Sequence, residues 1–103
     1  MSPQQPKMYV LVRQDLSETY RLVQGAHALA QYALEHGELF RVWNNGTVIF
    51  LAVRNLIEMR EWEGRLIMEG KQFSAFYEPD LDGQVTAVAC FNLGSIFSVL
   101  RMA

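Results

Sequence analysis

Cysteine is nearly missing from this chain of 103 residues: it has one, Cys90. A single thiol closes no intrachain disulfide, and without cysteines clustered beside histidine a structural zinc site has no ligands. That usage fits a reducing cytoplasm. An excess of either charge is missing too, since nine Lys and Arg stand against eleven Asp and Glu, for a net charge of -2. This excludes the global basic footprint behind purely electrostatic nucleic-acid binding, though not a small local basic patch. No apolar run approaches the ~20 residues a membrane helix needs. The opening MSPQQP stretch lacks the apolar core of a signal peptide. Glycine-rich phosphate loops, G-x-S-x-G and H-E-x-x-H are absent, so dinucleotide, P-loop, elbow-serine and zincin chemistry lose their usual supports. Repeats, linkers and low-complexity tracts are absent as well. The expectation is a cytoplasmic protein with no membrane partner, no metal and no cofactor.

With half its residues hydrophobic and 12% aromatic, the chain can build one domain around one core. Residues 1–7 read as a disordered lead-in and 8–103 as the domain. Met8 to Arg13 is a nearly continuous apolar run, as a buried strand should be. Ser17 is placed to cap a helix running to His36, with Gly37 as its left-handed end. Glu38 to Gly46 connects, partly as a short helix, and Asn44-Asn45-Gly46 signals a turn. Thr47 to Arg54 is a second buried strand. Asn55 caps a second helix to about Glu69, ended by Gly70, with Leu56, Met59, Glu63, Leu66 and Gly70 on one stripe and Trp62 as an anchor. Phe73 to Tyr77 and Gln84 to Phe91 are two more strands, joined by the turn Glu78 to Gly83, where Pro79 fixes φ and Asp82-Gly83 reverses the chain. Ser95 to Met102 reads as a short final helix.

The order β-α-β-α-β-β defines an α/β fold: three α/β/α layers around a four-stranded mixed sheet, with parallel, right-handed crossovers and an antiparallel last strand. Ligands of such sheets bind beyond the carboxyl ends of the parallel strands. Arg13 to Thr19, Arg54-Asn55 and Glu78 to Asp82 lie there.

The first helix is the most informative element. Leu22, Gly25, Ala26, Leu29, Ala30 and Ala33 make an apolar or small-residue face, which lets a helix lie close to a sheet. Tyr20, Gln24, His27 and Gln31 recur at three- and four-residue steps, so they share a polar stripe. His27 has the reference pKa of a general base, or is simply a histidine packed at the sheet edge. Gln24 is a candidate substrate ligand, whereas Gln31 reads as a solvated helix residue. Arg13 and Asp15 either hold an anionic ligand and a backbone turn or pair with each other. Arg21 is placed to extend an anionic-ligand patch. Glu78 and Asp80 are paired carboxylates in a proline-fixed turn, suited to acid–base work or to decorating a hairpin, while two carboxylates alone are weak evidence for a divalent cation. Thr86 offers a hydroxyl or merely a β-prone side chain. Cys90 reads as inert core.

A first strand ending Arg13-Gln14-Asp15-Leu16, a helix carrying Gln24-Gly25-Ala26-His27-Ala28 and the β-α-β-hairpin remainder together resemble the archaeal/eukaryotic (class II) peptidyl-tRNA hydrolases. The resemblance covers roughly residues 8 to 91 and is strongest from Tyr9 to Ala28. It implies a mixed four-stranded sheet between helices, and hydrolysis of the ester between a peptide and the tRNA 3′ end. The family's lysine has no lysine counterpart here; Tyr20 or Arg21 falls at its place, in a connection about two residues shorter. Glu78 or Asp80 stands for the family's aspartate, and Thr86 for its strand threonine. The resemblance implies a catalytic set of Arg21, Glu78, Asp80 and Thr86. Its substrate-binding set is Arg13, Asp15, Tyr20, Gln24 and His27, with the tRNA 3′ end as partner. A non-catalytic module of the same fold, binding RNA, a nucleotide or a protein, is the alternative. The apolar tail (Ile96, Phe97, Val99, Leu100, Met102) points to a homodimer.

Overall fold

The computed structural model describes residues 6–91 and 94–103. Most of the expected lead-in lies outside them, and Lys7 already belongs to the first strand. The elements are β1 (Lys7–Arg13), α1 (Glu18–Glu35), α2 (Gly37–Trp43), β2 (Thr47–Val53), α3 (Leu56–Met68), β3 (Ser74–Glu78), β4 (Gln84–Phe91) and β5 (Arg101–Met102). Short 3-10 turns occupy Pro79–Leu81 and Gly94–Phe97. The strands form one mixed, open sheet in the order β3-β4-β1-β2-β5. β1 and β2 are parallel, and β4 runs antiparallel to both β1 and β3. β1, β2 and β3, joined in turn through helices, therefore share one direction. The sheet has five strands rather than four, because the expected final helix is replaced by a 3-10 turn and by β5, which pairs antiparallel with β2.

Alternation along the strands sorts the core into two clusters. Met8, Val10 and Val12 of β1 pack with Ala28 and Tyr32 of α1 and Trp43 of α2. Leu11 of β1 and Val53 of β2 pack with Met59, Trp62 and Leu66 of α3. Phe97 is buried in this second cluster, with Ile96 and Leu100 packed against it. Most of the tail expected to drive dimerisation is thus spent on the chain's own core, and only Val99 and Met102 remain broadly exposed.

The caps follow the sequence closely. Ser17 accepts from the Tyr20 amide and Asn55 from the Glu58 amide. Asn44, Asn45, Gly70, Asp82 and Gly83 adopt positive φ, as their turns require. Gly37 departs from expectation: it is the first residue of α2, with His36 as the junction, and carries no left-handed cap.

The buried stripe of α1 is Gln24, Gly25, Ala28 and Tyr32. This is a rotation from the expected apolar face: Leu22, Ala26 and Ala30 are exposed, while Gln24 turns inward. Gly25 explains the close approach. A Cβ built there would lie 2.5 Å from Cε2 and 2.8 Å from Cζ of Phe50. Gly25→Ala should cost about 1–3 kcal/mol through overpacking, with much of it recovered in the Gly25→Ala/Phe50→Leu double variant. A urea-denaturation double-mutant cycle checks this; additive single effects would contradict it.

Candidate functional site

The site is built from one stripe of α1, the end of β3 and an irregularity in β4. Partners of β3 and β4 step from Phe76–Ala87 to Tyr77–Val85, so Thr86 is an extra, unpaired residue. Such a bulge re-aims side chains. Val85 enters the α3-side core and Ala87 the α1-side core. Thr86, between them, turns its hydroxyl to Gln24 of α1.

Gln24 and Thr86 are both fully buried. The Thr86 hydroxyl donates to Gln24 Oε1. Gln24 Nε2 donates to Glu78 Oε1 at 2.8 Å. Tyr20 Oη donates to the same oxygen at 3.2 Å. The Asp80 backbone N–H donates to Glu78 Oε2 at 3.1 Å, so Glu78 caps the 3-10 turn that Pro79 opens. His27, one step further along the stripe, lies flat on Phe76 of β3, with centroids 4.4 Å apart and planes 9° from parallel.

A buried-edge carboxylate would ordinarily titrate high, but the Glu78 carboxyl sits below its usual range. The Gln24 amide contributes most, then the Asp80 N–H, against the opposing cost of desolvation, with Tyr20 and the nearby His27 acting in the same lowering direction. The Tyr20 phenol is pushed up, by desolvation first and by Glu78 next, which keeps it a donor. An ionised carboxylate offers about four acceptor positions. Three are filled by protein, which leaves one open on Oε2.

The expected site residues divide into separate groups. Tyr20, Gln24, His27, Glu78 and Thr86 come together, although Gln24 and Thr86 alone are 62 residues apart in sequence. Between the two turn carboxylates, Glu78 enters the network while the exposed Asp80 contributes only its N–H. Gln24 and Thr86 are too buried to touch a ligand, so they position Glu78 instead. Arg13 is only 5% exposed. Its Nε and Nη2 form a fork on Asp15 at 3.0 and 2.7 Å, and its Nη1 donates to Gln84 Oε1 at 2.9 Å and to the Val85 carbonyl at 3.1 Å. The expected anion-binding Arg13 is therefore a brace between β1 and β4. Arg21 donates to the carbonyls of Leu16 and Gln14, at 2.8 and 3.1 Å, and lines a cavity beside Phe50 of β2. In the sheet order, β4 and β1 stand between β3 and β2, a separation of ~14 Å at strand spacing. The expected pairing of Arg21 with Glu78 in one catalytic cleft is not formed. Phe76, Gln84 and the bulge were not anticipated. Their one sequence signal was Thr86, the sole polar residue within Val85 to Phe91.

Asp15 also titrates low, chiefly through its hydrogen bonds from Arg13 and against some desolvation. For both carboxylates the folded pKa lies below the unfolded one. Their stabilisation is present above the ordinary carboxylate range and is lost as pH falls through it. The urea midpoint should therefore drop between about pH 5 and pH 3, and the Asp15→Asn/Glu78→Gln variant should show a flatter profile. An unchanged slope would contradict the assignment.

The architecture is that of a compact α/β domain with a mixed five-stranded sheet. No family model matches the chain, and no curated protein does either. Among solved structures, it is similar to a protein of unknown function from Agrobacterium tumefaciens strain C58, with a TM-score of 0.71 and 14% identity over 98% of this chain and 99% of that one. At that identity the likeness shows the fold alone. No described helix is long and apolar enough to cross a membrane.

Proposed function

We propose that this chain is a short, divergent relative of the class II peptidyl-tRNA hydrolases that hydrolyses the ester of peptidyl-tRNA or a related aminoacyl ester. In this reading the sheet lies between α1 and α2 on one side and α3 on the other, the α/β/α layering of that family. One observation carries the reading. The residues that the resemblance nominates on α1, Tyr20, Gln24 and His27, converge with Glu78 and Thr86 beyond the carboxyl end of β3. Buried polar networks are costly unless fully satisfied, and in this reading the network serves to hold a single carboxylate in a fixed orientation. Glu78 would hold a water through the open position on Oε2. The water oxygen bonds to the acyl carbon, the bond to the tRNA 3′ oxygen breaks, and the proton ends on that oxygen. A lowered pKa makes Glu78 a weak base and a firm positioner. Because the single Tyr20 hydroxyl hydrogen is given to Glu78, His27 is the member of the stripe left to donate to the developing oxyanion.

The second reading, a non-catalytic module that binds the same RNA end, is favoured by the placement of the arginines, because neither Arg13 nor Arg21 donates to Glu78. Incubation with N-acetyl-aminoacyl-tRNA, with filter binding in parallel, separates the two. Release of free tRNA above the uncatalysed rate supports hydrolysis. Binding without release supports the module, and neither would overturn both.

A further inference from the structure

A second site lies on the opposite flank of α1 and does not involve Glu78. A cavity of about 280 Å³ opens there, lined by Val12, Leu22 and Phe50, with Glu18 and Arg21 among its lining and Ala103 at one side. Its wall is largely hydrocarbon. Val12 forms the floor, being 1% exposed, and Leu22 stands at the rim, being 62% exposed. The bare Gly25 backbone admits the Phe50 ring, whose Cε2 sits where a larger residue's Cβ would fall. Ala103 donates its N–H to the Phe50 carbonyl at 2.9 Å, which holds the far side in place.

The charges on this cavity are not spent on each other. Glu18 and Arg21 are one turn apart on α1, where side chains neighbour each other, yet neither forms an ion pair within 4.0 Å among the described residues. Arg21 is held by the Leu16 and Gln14 carbonyls. Of the five N–H donors of a guanidinium, those two bonds leave three, on a group already fixed in place. A preorganised cation, an anion one turn away and an apolar wall form a complementary set. They match a molecule that carries a carboxylate and an ammonium on one carbon, next to a short hydrocarbon side chain.

We propose that this cavity binds a free apolar α-amino acid of leucine type. Its carboxylate is received by Arg21, its ammonium by Glu18, and its side chain by Val12, Leu22 and Phe50. A ligand with one charge would leave the other rim group unmatched, and charge-assisted contacts carry much of the energy of so small a ligand.

The test is a titration of the full chain with L-leucine, followed by calorimetry and by amide NMR shifts. Saturable binding is expected, with shifts mapping to Glu18, Arg21, Leu22 and Phe50. N-acetyl-leucine and leucinamide, each lacking one charge, should bind at least about tenfold more weakly, as should Glu18→Gln and Arg21→Gln. Because Arg21 also braces the β1–α1 loop, Leu22→Asp provides a variant that keeps both charges. It should abolish leucine binding with an unchanged circular dichroism spectrum. Glu78→Gln should bind leucine like the parent, which separates this site from the proposed esterase. No saturable shift up to the solubility of leucine would overturn the proposal. So would equal binding of all three ligands, or shifts that map elsewhere.

Discussion

Gln24→Ala should unfold this protein about 10–25 °C earlier than the parent, corresponding to about 2–4 kcal/mol. Three losses combine. The truncation leaves a cavity at a fully buried position. It deprives the Thr86 hydroxyl of its acceptor, leaving only the Phe76 carbonyl at 3.5 Å. It also removes the strongest donor to Glu78, so that carboxyl should titrate higher. Gln24→Leu preserves most of the volume and isolates the polar loss: it should still be clearly destabilised, because an orphaned buried hydroxyl and a weakened carboxylate remain. Calorimetric melting of both variants checks this. A Gln24→Leu protein as stable as the parent would mean the network contributes nothing that packing cannot replace.

Arg13→Met should cost about 2–4 kcal/mol by urea denaturation. The substitution keeps an aliphatic stem of similar length but removes four hydrogen bonds at a site that is 5% exposed. The Val85 carbonyl next to the bulge loses its partner, and the Asp15 carboxylate is left without its cation. Arg13→Lys should recover little, since one ammonium cannot reproduce a planar fork shared among Asp15, Gln84 and Val85. Asp15→Asn should cost less, because the Asp15 side chain is 40% exposed and water replaces part of what is lost. A Lys variant equal to the parent would show that charge alone, not the fork, holds β1 to β4 here.

These variants mark how far the sequence could be read. Local signals were dependable. Ser17, Asn55, the Asn44-Asn45 pair and Asp82-Gly83 all act through bonds or φ angles within a few residues, so their chemistry is visible in order along the chain. Gln84 to Phe91 was legible as a strand for the same reason. The rotation of α1 was not, because Gln24 looks polar until Glu78 and Thr86, 54 and 62 residues away, are seen to satisfy its amide. Burying the satisfied amide then costs little, even though Leu22, Ala26 and Ala30 are left exposed. The tail was misread because β2 offers a free edge that only the finished sheet reveals. Two residues, Arg101 and Met102, pair with it, and that pairing outweighs the weak helix preference of Ser95 to Met102. The candidate site was partly legible: its α1 stripe and its acidic turn stood out by residue type and by resemblance. Which carboxylate joins the network, and that Arg21 lines the cavity beside Phe50, depended on strand order and on one bulge. Neither leaves a trace in spacing.

The central claim is that Glu78, held by Tyr20 and Gln24, is the reacting group's partner in an ester hydrolysis. Single-turnover release of tRNA from N-acetyl-aminoacyl-tRNA by the parent chain and by Glu78→Gln measures it most directly. The expected result is turnover by the parent and a loss of about 10²–10⁴-fold in the variant, with both proteins folded. Equal rates for the two, or no release by the parent above the uncatalysed background, would contradict it.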